Sequence, residues 1–224
     1  YKGNPLIDAI DNSDAFKETR EEFLAKTGLP DKPMIALLAG SRNGEISSMM
    51  PIFMEFADRL HALPEYSDYR FVVAAAPARS EADYAKYIGG REYVSVVFGQ
   101  SYAVMRHAKA AVVNSGTASL ECALVGTPQV VAYKGAEINF LIAKMIIKIQ
   151  YISLGNLILD RICFRELLQY YFTPDNVLYE VRRMIEDEEY RSAMLAGYQE
   201  IRDALGGEGA SAAVARAMIE ELKK

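Results

Sequence analysis

Cysteine is scarce in this chain: Cys122 and Cys163 are the two among 224 residues, both in helix-like segments. Their spacing suits neither a metal site nor a disulfide framework, so both thiols are read as buried, as in a protein of a reducing compartment. Basic tracts interleaved with aromatics are absent and the net charge is −5, which argues against a nucleic-acid partner. No signal-peptide pattern occurs, and the longest strongly apolar run, "INFLIAKMIIKI" at 138–149, is broken by Lys144 and Lys148. It is too short and too charged to span a bilayer. Neither GxxxxGK[ST] nor GxGxxG occurs, so the usual ATP and nicotinamide loops are excluded. There is no Asp-x-Asp motif, and no metal or other cofactor is expected.

What the chain does have is alternation. "MIALLAG" (34–40) is a short apolar run ending in glycine, the pattern of a buried parallel strand. A helix follows over "EISSMMPIFMEFADRL", with Ile46, Met49, Phe53, Ala57 and Leu60 at helical spacing. Pro51 is expected in its first turn, where proline costs little. "YRFVVAAAP", "YVSVVFG", "KAAVVN" and "QVVAYKG" read as further strands, separated by the helices "SEADYAKYI", "SYAVMRHA" and "ASLECALV". Parallel neighbours need crossovers, so the pattern predicts a Rossmann-like α/β fold, a doubly wound parallel sheet. Beyond residue 150, "YISLGNLILDR" reads as irregular and everything after Cys163 as helix, with Thr173 capping a helix that begins at Pro174. "GGEG" (206–209) reads as a joint before a last helix. The division expected is a binding domain over 1–205 and a helical C-terminal extension over 206–224.

In an open parallel sheet, ligands bind beyond the carboxyl ends of the strands, where strand order reverses. With the order 3-2-1-4-5, the reversal lies between the first and fourth strands. The turns there are "GSRNGE" (40–45) and "NSGTASLE" (114–121), both Gly-Ser turns in front of helices. Helix N-termini offer unpaired N–H groups and partial positive charge, so the two turns are read as a phosphate cradle. Each turn alone also fits plainer roles: Gly40 and Gly116 as turn glycines, Ser115 or Thr117 as helix caps, Arg42 as a solvated loop residue. Glu121 is no capping-box acid, because Ala118 stands three residues before it. His61 and His107 have no acid partner nearby in sequence and read as structural. "INFLIAKMIIKI" reads as a packed helix, or as an amphipathic membrane-surface helix with Lys144 and Lys148 on one face.

"LLAGSRNGEI", "NSGTASLECALVGTPQVVAYK" and "ISLGNLILDRICFRELLQ" together resemble the C-terminal half of the lipid-A-disaccharide synthases. These are GT-B-fold glycosyltransferases of Gram-negative bacteria. "GNPLIDAI" resembles that family's interdomain junction, and a chain opening on Tyr1 is expected to be the later part of a longer protein. Ala39 and Gly155 depart from the family, which often has proline at both places. The resemblance implies transfer of diacylglucosamine from UDP-2,3-diacylglucosamine to the lipid acceptor 2,3-diacylglucosamine 1-phosphate, giving a β-1,6-linked disaccharide phosphate and UDP. It implies a donor-binding half, with the general base in the other half, and metal-independent inversion. The cradle of Gly40, Ser41, Arg42, Asn114, Ser115, Gly116 and Thr117 would then hold UDP, with Glu121 on the ribose hydroxyls. Arg42 would serve as the mobile catalytic charge, and Asn156 matches a family position needed for activity. The location implied is the cytoplasmic face of the inner membrane, as a peripheral protein. The last helix would return to the N-terminal half or to a second chain of a homodimer. A UDP-sugar 2-epimerase, or a UDP-sugar-binding module without catalysis, are the alternatives on the same fold; the epimerase would need carboxylates and a histidine in the crevice.

Overall fold

Six parallel strands form one sheet in the order β3-β2-β1-β4-β5-β6 in the computed structural model, which describes residues 3–135, 150–207 and 209–222. They are β1 (Met34–Leu38), β2 (Arg70–Ala75), β3 (Val94–Phe98), β4 (Ala110–Asn114), β5 (Gln129–Tyr133) and β6 (Glu166–Leu168). The reversal therefore lies between β1 and β4, whose registers join Leu37 to Val112 and Leu38 to Val113. Every residue of β1 is buried because both faces of the sheet are covered. Ile35 and Leu37 face one core with Phe53, Phe56 and Phe71, while Met34, Ala36 and Leu38 face a second with Phe23 and Met105. This two-sided burial is why the strands read as unbroken apolar runs.

The covering helices are α1 (Pro5–Asp11), α2 (Arg20–Thr27), α3 (Asn43–His61), α4 (Glu81–Ile88), α5 (Ser101–His107) and α6 (Thr117–Val125). After β5 come α7 (Leu154–Leu159), α8 (Pro174–Glu186), α9 (Glu188–Leu205) and α10 (Ala210–Leu222). As the sequence predicts, Thr173 caps α8 by accepting from the Asn176 amide at 3.2 Å. Both histidines lie against rings: His61 on Tyr93 at 3.9 Å and His107 on Phe23 at 5.0 Å between centroids. No helix among the described residues is long and apolar enough to cross a membrane. The 138–149 run, with Lys144 and Lys148, lies outside the described residues.

Three local readings are corrected. Pro51 sits inside α3 rather than in its first turn, because Arg42 caps the helix and starts it at Asn43. The carbonyl freed by the missing N–H belongs to Ser47, which is exposed like Pro51 and so is open to water. The buried stripe from Ile46 to Leu60 carries the helix through. "SLGNLIL" is not irregular but contains α7, whose Gly155 lies flat on a ring: a Cβ there would sit 2.8 Å from Phe164 Cζ. Lastly, Glu166–Leu168 is a strand, pairing Val131 with Glu166 and Tyr133 with Leu168, where helix was expected.

The C-terminal end is tied to the N-terminal end. Asp8 of α1 accepts from the amides of Gly209 and Ser211 at 2.7 Å each, capping α10 from outside its own segment. These bonds hold the Asp8 carboxyl below its ordinary range. Arg202 of α9 donates to both oxygens of Asp11 at 2.8 and 2.7 Å, a bidentate pair next to the same joint.

Candidate functional site: the crevice between the turns after β1 and β4

The turn after β1 meets the turn after β4 at a glycine. Gly40 has φ +90°, and a Cβ there would come within 2.6 Å of the Asn114 side-chain nitrogen. Any larger residue would push the turns apart, so the close approach and the left-handed backbone both require glycine. The structure thereby brings together Gly40, Ser41 and Arg42 on one side and Asn114, Ser115, Gly116 and Thr117 on the other.

In the first turn, Glu45 folds back over its own helix start. One carboxylate oxygen accepts from the amides of Ser41 and Arg42 at 2.8 and 3.0 Å, and the other from the Arg42 guanidinium at 3.2 Å. The Arg42 side chain is 85% exposed. An exposed ion pair of this kind is worth ~0–1 kcal/mol, so Arg42 can exchange Glu45 for a stronger anion at little cost. Arg79, from the loop after β2, braces the same turn from outside. Its guanidinium donates to the Ser41 carbonyl at 2.7 Å and to the Asn43 side chain at 2.6 Å. Sequence reasoning missed Arg79; the available signal was an arginine shortly after a buried strand, on the ligand edge of the sheet.

In the second turn, the Ser115 amide donates to the Ala132 carbonyl at 2.8 Å, extending the β4–β5 ladder. Its hydroxyl, not its amide, is left for a ligand. Gly116 caps α6 with φ +155° and no side-chain cap bond, so neither Ser115 nor Thr117 serves as the cap. Gly116 and Thr117 are exposed, and the space a Cβ would take at Gly116 is open to 4 Å. The first-turn amides of α6 have no helical carbonyl four residues back to bond. The Ser119 amide turns to the Gly116 carbonyl at 3.1 Å, which leaves the amides before it for an anion at this terminus.

Glu121, one turn further along α6, lines a cavity of about 480 Å³ with Pro77, Gly99, Gln100 and Tyr102. Asp14, Glu18 and Lys26 also line it, with Lys26 3.4 Å from Glu18. Acids outnumber bases in the lining, so it suits the uncharged part of a ligand better than phosphate. The Tyr102 hydroxyl donates to Glu121 at 3.0 Å. Burial, and then the Glu121 carboxylate, pushes that hydroxyl up to about 12. Tyr102 therefore remains a donor at neutral pH and fixes the carboxylate toward the cavity.

Asn156 does not join this site. It is fully buried, and its amide nitrogen donates to the Phe164 carbonyl and to Glu166, both at 2.9 Å. Its oxygen accepts from the amides of Cys163 and Phe164 at 2.8 and 3.3 Å. All four hydrogen-bonding positions are taken by the chain itself, leaving none for substrate. We propose for Asn156 a positioning role in place of the expected catalytic one. Glu166, at the start of β6, is the missed hub: it also accepts from the amides of Ile152 and Ser153 at 2.9 and 3.0 Å.

Residues 1–218 match the family described as lipid-A-disaccharide synthetase. The chain belongs to that family. Curated relatives agree: it is 35% identical over 224 residues to a lipid-A-disaccharide synthase of Myxococcus xanthus, covering 99% of the chain and 57% of the relative. One from Trichlorobacter lovleyi is 32% identical over 227 residues, again covering 99% and 57%. The chain thus spans a little over half the length of the relatives it matches. Among solved structures, a Staphylococcus aureus MnaA–UDP complex superposes with TM-score 0.59 at 17% identity, over 99% of this chain and 54% of that one. Escherichia coli ADP-heptose lipopolysaccharide heptosyltransferase II gives 0.54 at 16%, over 74% and 50%. These distant likenesses show the fold: the chain has the Rossmann-like architecture found in part of known glycosyltransferases.

Proposed function

We propose that the chain is the UDP-donor half of a glycosyltransferase. The enzyme would move 2,3-diacylglucosamine from UDP to 2,3-diacylglucosamine 1-phosphate, yielding the lipid A disaccharide phosphate. The observation that carries this reading is the meeting of two donor-rich turns at the β1/β4 reversal, beside a carboxylate-lined cavity, in a member of this family. The diphosphate would lie on the α6 amides and the hydroxyls of Ser115 and Thr117. The nucleoside would fill the cavity, its two ribose hydroxyls shared with Glu121.

The chemistry follows from charge. As the glycosidic bond to UDP breaks, negative charge grows on the leaving diphosphate. The α6 terminus is fixed beforehand and needs no reorganisation, so it favours the transition state over the ground state. Arg42 would swing from Glu45 to the diphosphate and neutralise part of that charge, while Arg79 keeps the turn beneath it in place. The Gly40–Arg42 turn and α6 would thus do the work that a divalent cation does in metal-dependent transferases. The acceptor proton needs a base, which we place in the remaining part that the curated relatives carry. The stacking of both histidines on aromatic rings favours transfer over 2-epimerisation. Action on acylated substrates would bring the protein to the cytoplasmic membrane surface.

Glu121→Ala is the direct test. UDP affinity should fall by ~1–3 kcal/mol, the scale for losing hydrogen bonds to a charged group, with thermal stability held because Glu121 is only half-buried. Unchanged affinity in calorimetry would make Glu121 a mere partner of Tyr102 and remove the ribose role.

A further inference from the structure

We propose that Gln169 binds the sugar of the donor, so that this chain distinguishes a UDP-sugar from UDP through that side chain; the inference rests on the UDP reading above. Gln169 directly follows β6 and is 8% exposed. Its backbone has φ +50°, in the left-handed region, which non-glycine residues rarely adopt. Its side-chain nitrogen is buried and has no hydrogen-bond partner among the described residues. A strained backbone and an orphaned buried donor are each unfavourable. A folded chain keeps such features where a function holds them, and an orphaned donor is satisfied when a ligand brings an acceptor.

The sheet order says which part of the ligand reaches Gln169. The cavity is lined by Pro77, after β2, and by Gly99 and Gln100, after β3. The open helix terminus for the diphosphate follows β4. A nucleotide laid from cavity to terminus therefore crosses the sheet from the β3 side to β4. Whatever the diphosphate carries continues toward β5 and β6. All strands are parallel, so the carboxyl end of β6 lies on the same edge as that of β4. It is two strand spacings further, about 10 Å. A neutral amide donor suits the oxygen acceptors of a hexosamine, its hydroxyls and the carbonyl on its acylated nitrogen. It would add little for UDP alone, which ends at the diphosphate.

The test is calorimetric titration of the chain with UDP and with UDP-N-acetylglucosamine, using the wild type, Gln169→Gly and Gln169→Glu. Glycine accepts a φ of +50° without strain, so Gln169→Gly removes the carboxamide without endangering the fold. The wild type should bind UDP-N-acetylglucosamine more tightly than UDP. Gln169→Gly should keep its UDP affinity and lose about tenfold in that preference, the scale of one buried hydrogen bond. Gln169→Glu, which replaces a donor by an acceptor, should lose it too. If Gln169→Gly keeps the preference, loses both ligands equally, or if the wild type shows no preference, the sugar role is wrong while UDP binding stands. If the wild type binds neither ligand, the UDP reading falls first.

Discussion

Asn156→Ala is expected to destabilise the chain by ~2–5 kcal/mol, because it strips acceptors from two buried amides at ~1–3 kcal/mol each. Those amides belong to Cys163 and Phe164, and the same change removes a donor from Glu166. Glu166 in turn holds the amides of Ile152 and Ser153, so the loss spreads to the segment entering α7 and to β6. Asn156→Asp should be no milder, since it sets a second carboxylate against Glu166 in a buried place. Chemical denaturation of the wild type and both variants reads the effect. A denaturation midpoint unchanged in both would mean that Asn156 is not a structural latch, and would return it to direct catalysis.

Transfer is expected to need more than this chain. Given UDP-2,3-diacylglucosamine and 2,3-diacylglucosamine 1-phosphate, the chain should bind the donor and release no UDP above background. Joined to the remaining part of its curated relatives, it should turn over. The reason is division of labour: the crevice supplies anion stabilisation, while the acceptor must be held in line with the anomeric carbon and lose a proton. General-base help alone is typically worth ~100–10,000-fold, and positioning of two reactants contributes more still. Asp14, Glu18 and Glu121 are the acids lining the cavity. They surround the proposed nucleoside site, and we assign none of them to the reacting hydroxyl. An assay of UDP release on the chain alone and on the joined protein decides it. Equal rates would place a complete site within these residues.

The strand order and both turns of the crevice were legible because their signals are strong and local. β1 through β5 are five or six residues long and mostly apolar, and a Gly-Ser pair before a helix is a specific turn chemistry. β6 was missed because three residues, Glu166 to Leu168, are too few to show any period, and the pairing with β5 alone defines them. Pro51 was misplaced because a proline in a helical pattern argues for a helix start. The start instead came from the Arg42–Glu45 cap, which lacks the usual small polar cap residue. Asn156 drew a catalytic reading because it matches a family position needed for activity, and such a match says nothing of contacts; the fold shows that its hydrogen bonds are all internal. Arg79 belongs to no motif, and Gln169 ends the "ISLGNLILDRICFRELLQ" stretch without being singled out by it. Their importance lies in what the fold sets beside them, Ser41 and Asn43 for the first and the ligand edge of the sheet for the second.

The measurement that tests the central claim most directly is a crystal structure of the chain with UDP. The diphosphate oxygens should lie within hydrogen-bond reach of the Gly116 and Thr117 amides, with the ribose hydroxyls on Glu121 and Arg42 turned from Glu45 toward the phosphates. A diphosphate bound beyond a side chain's reach of Ser115–Thr117, or a nucleoside outside the cavity beside Glu121, would contradict the account.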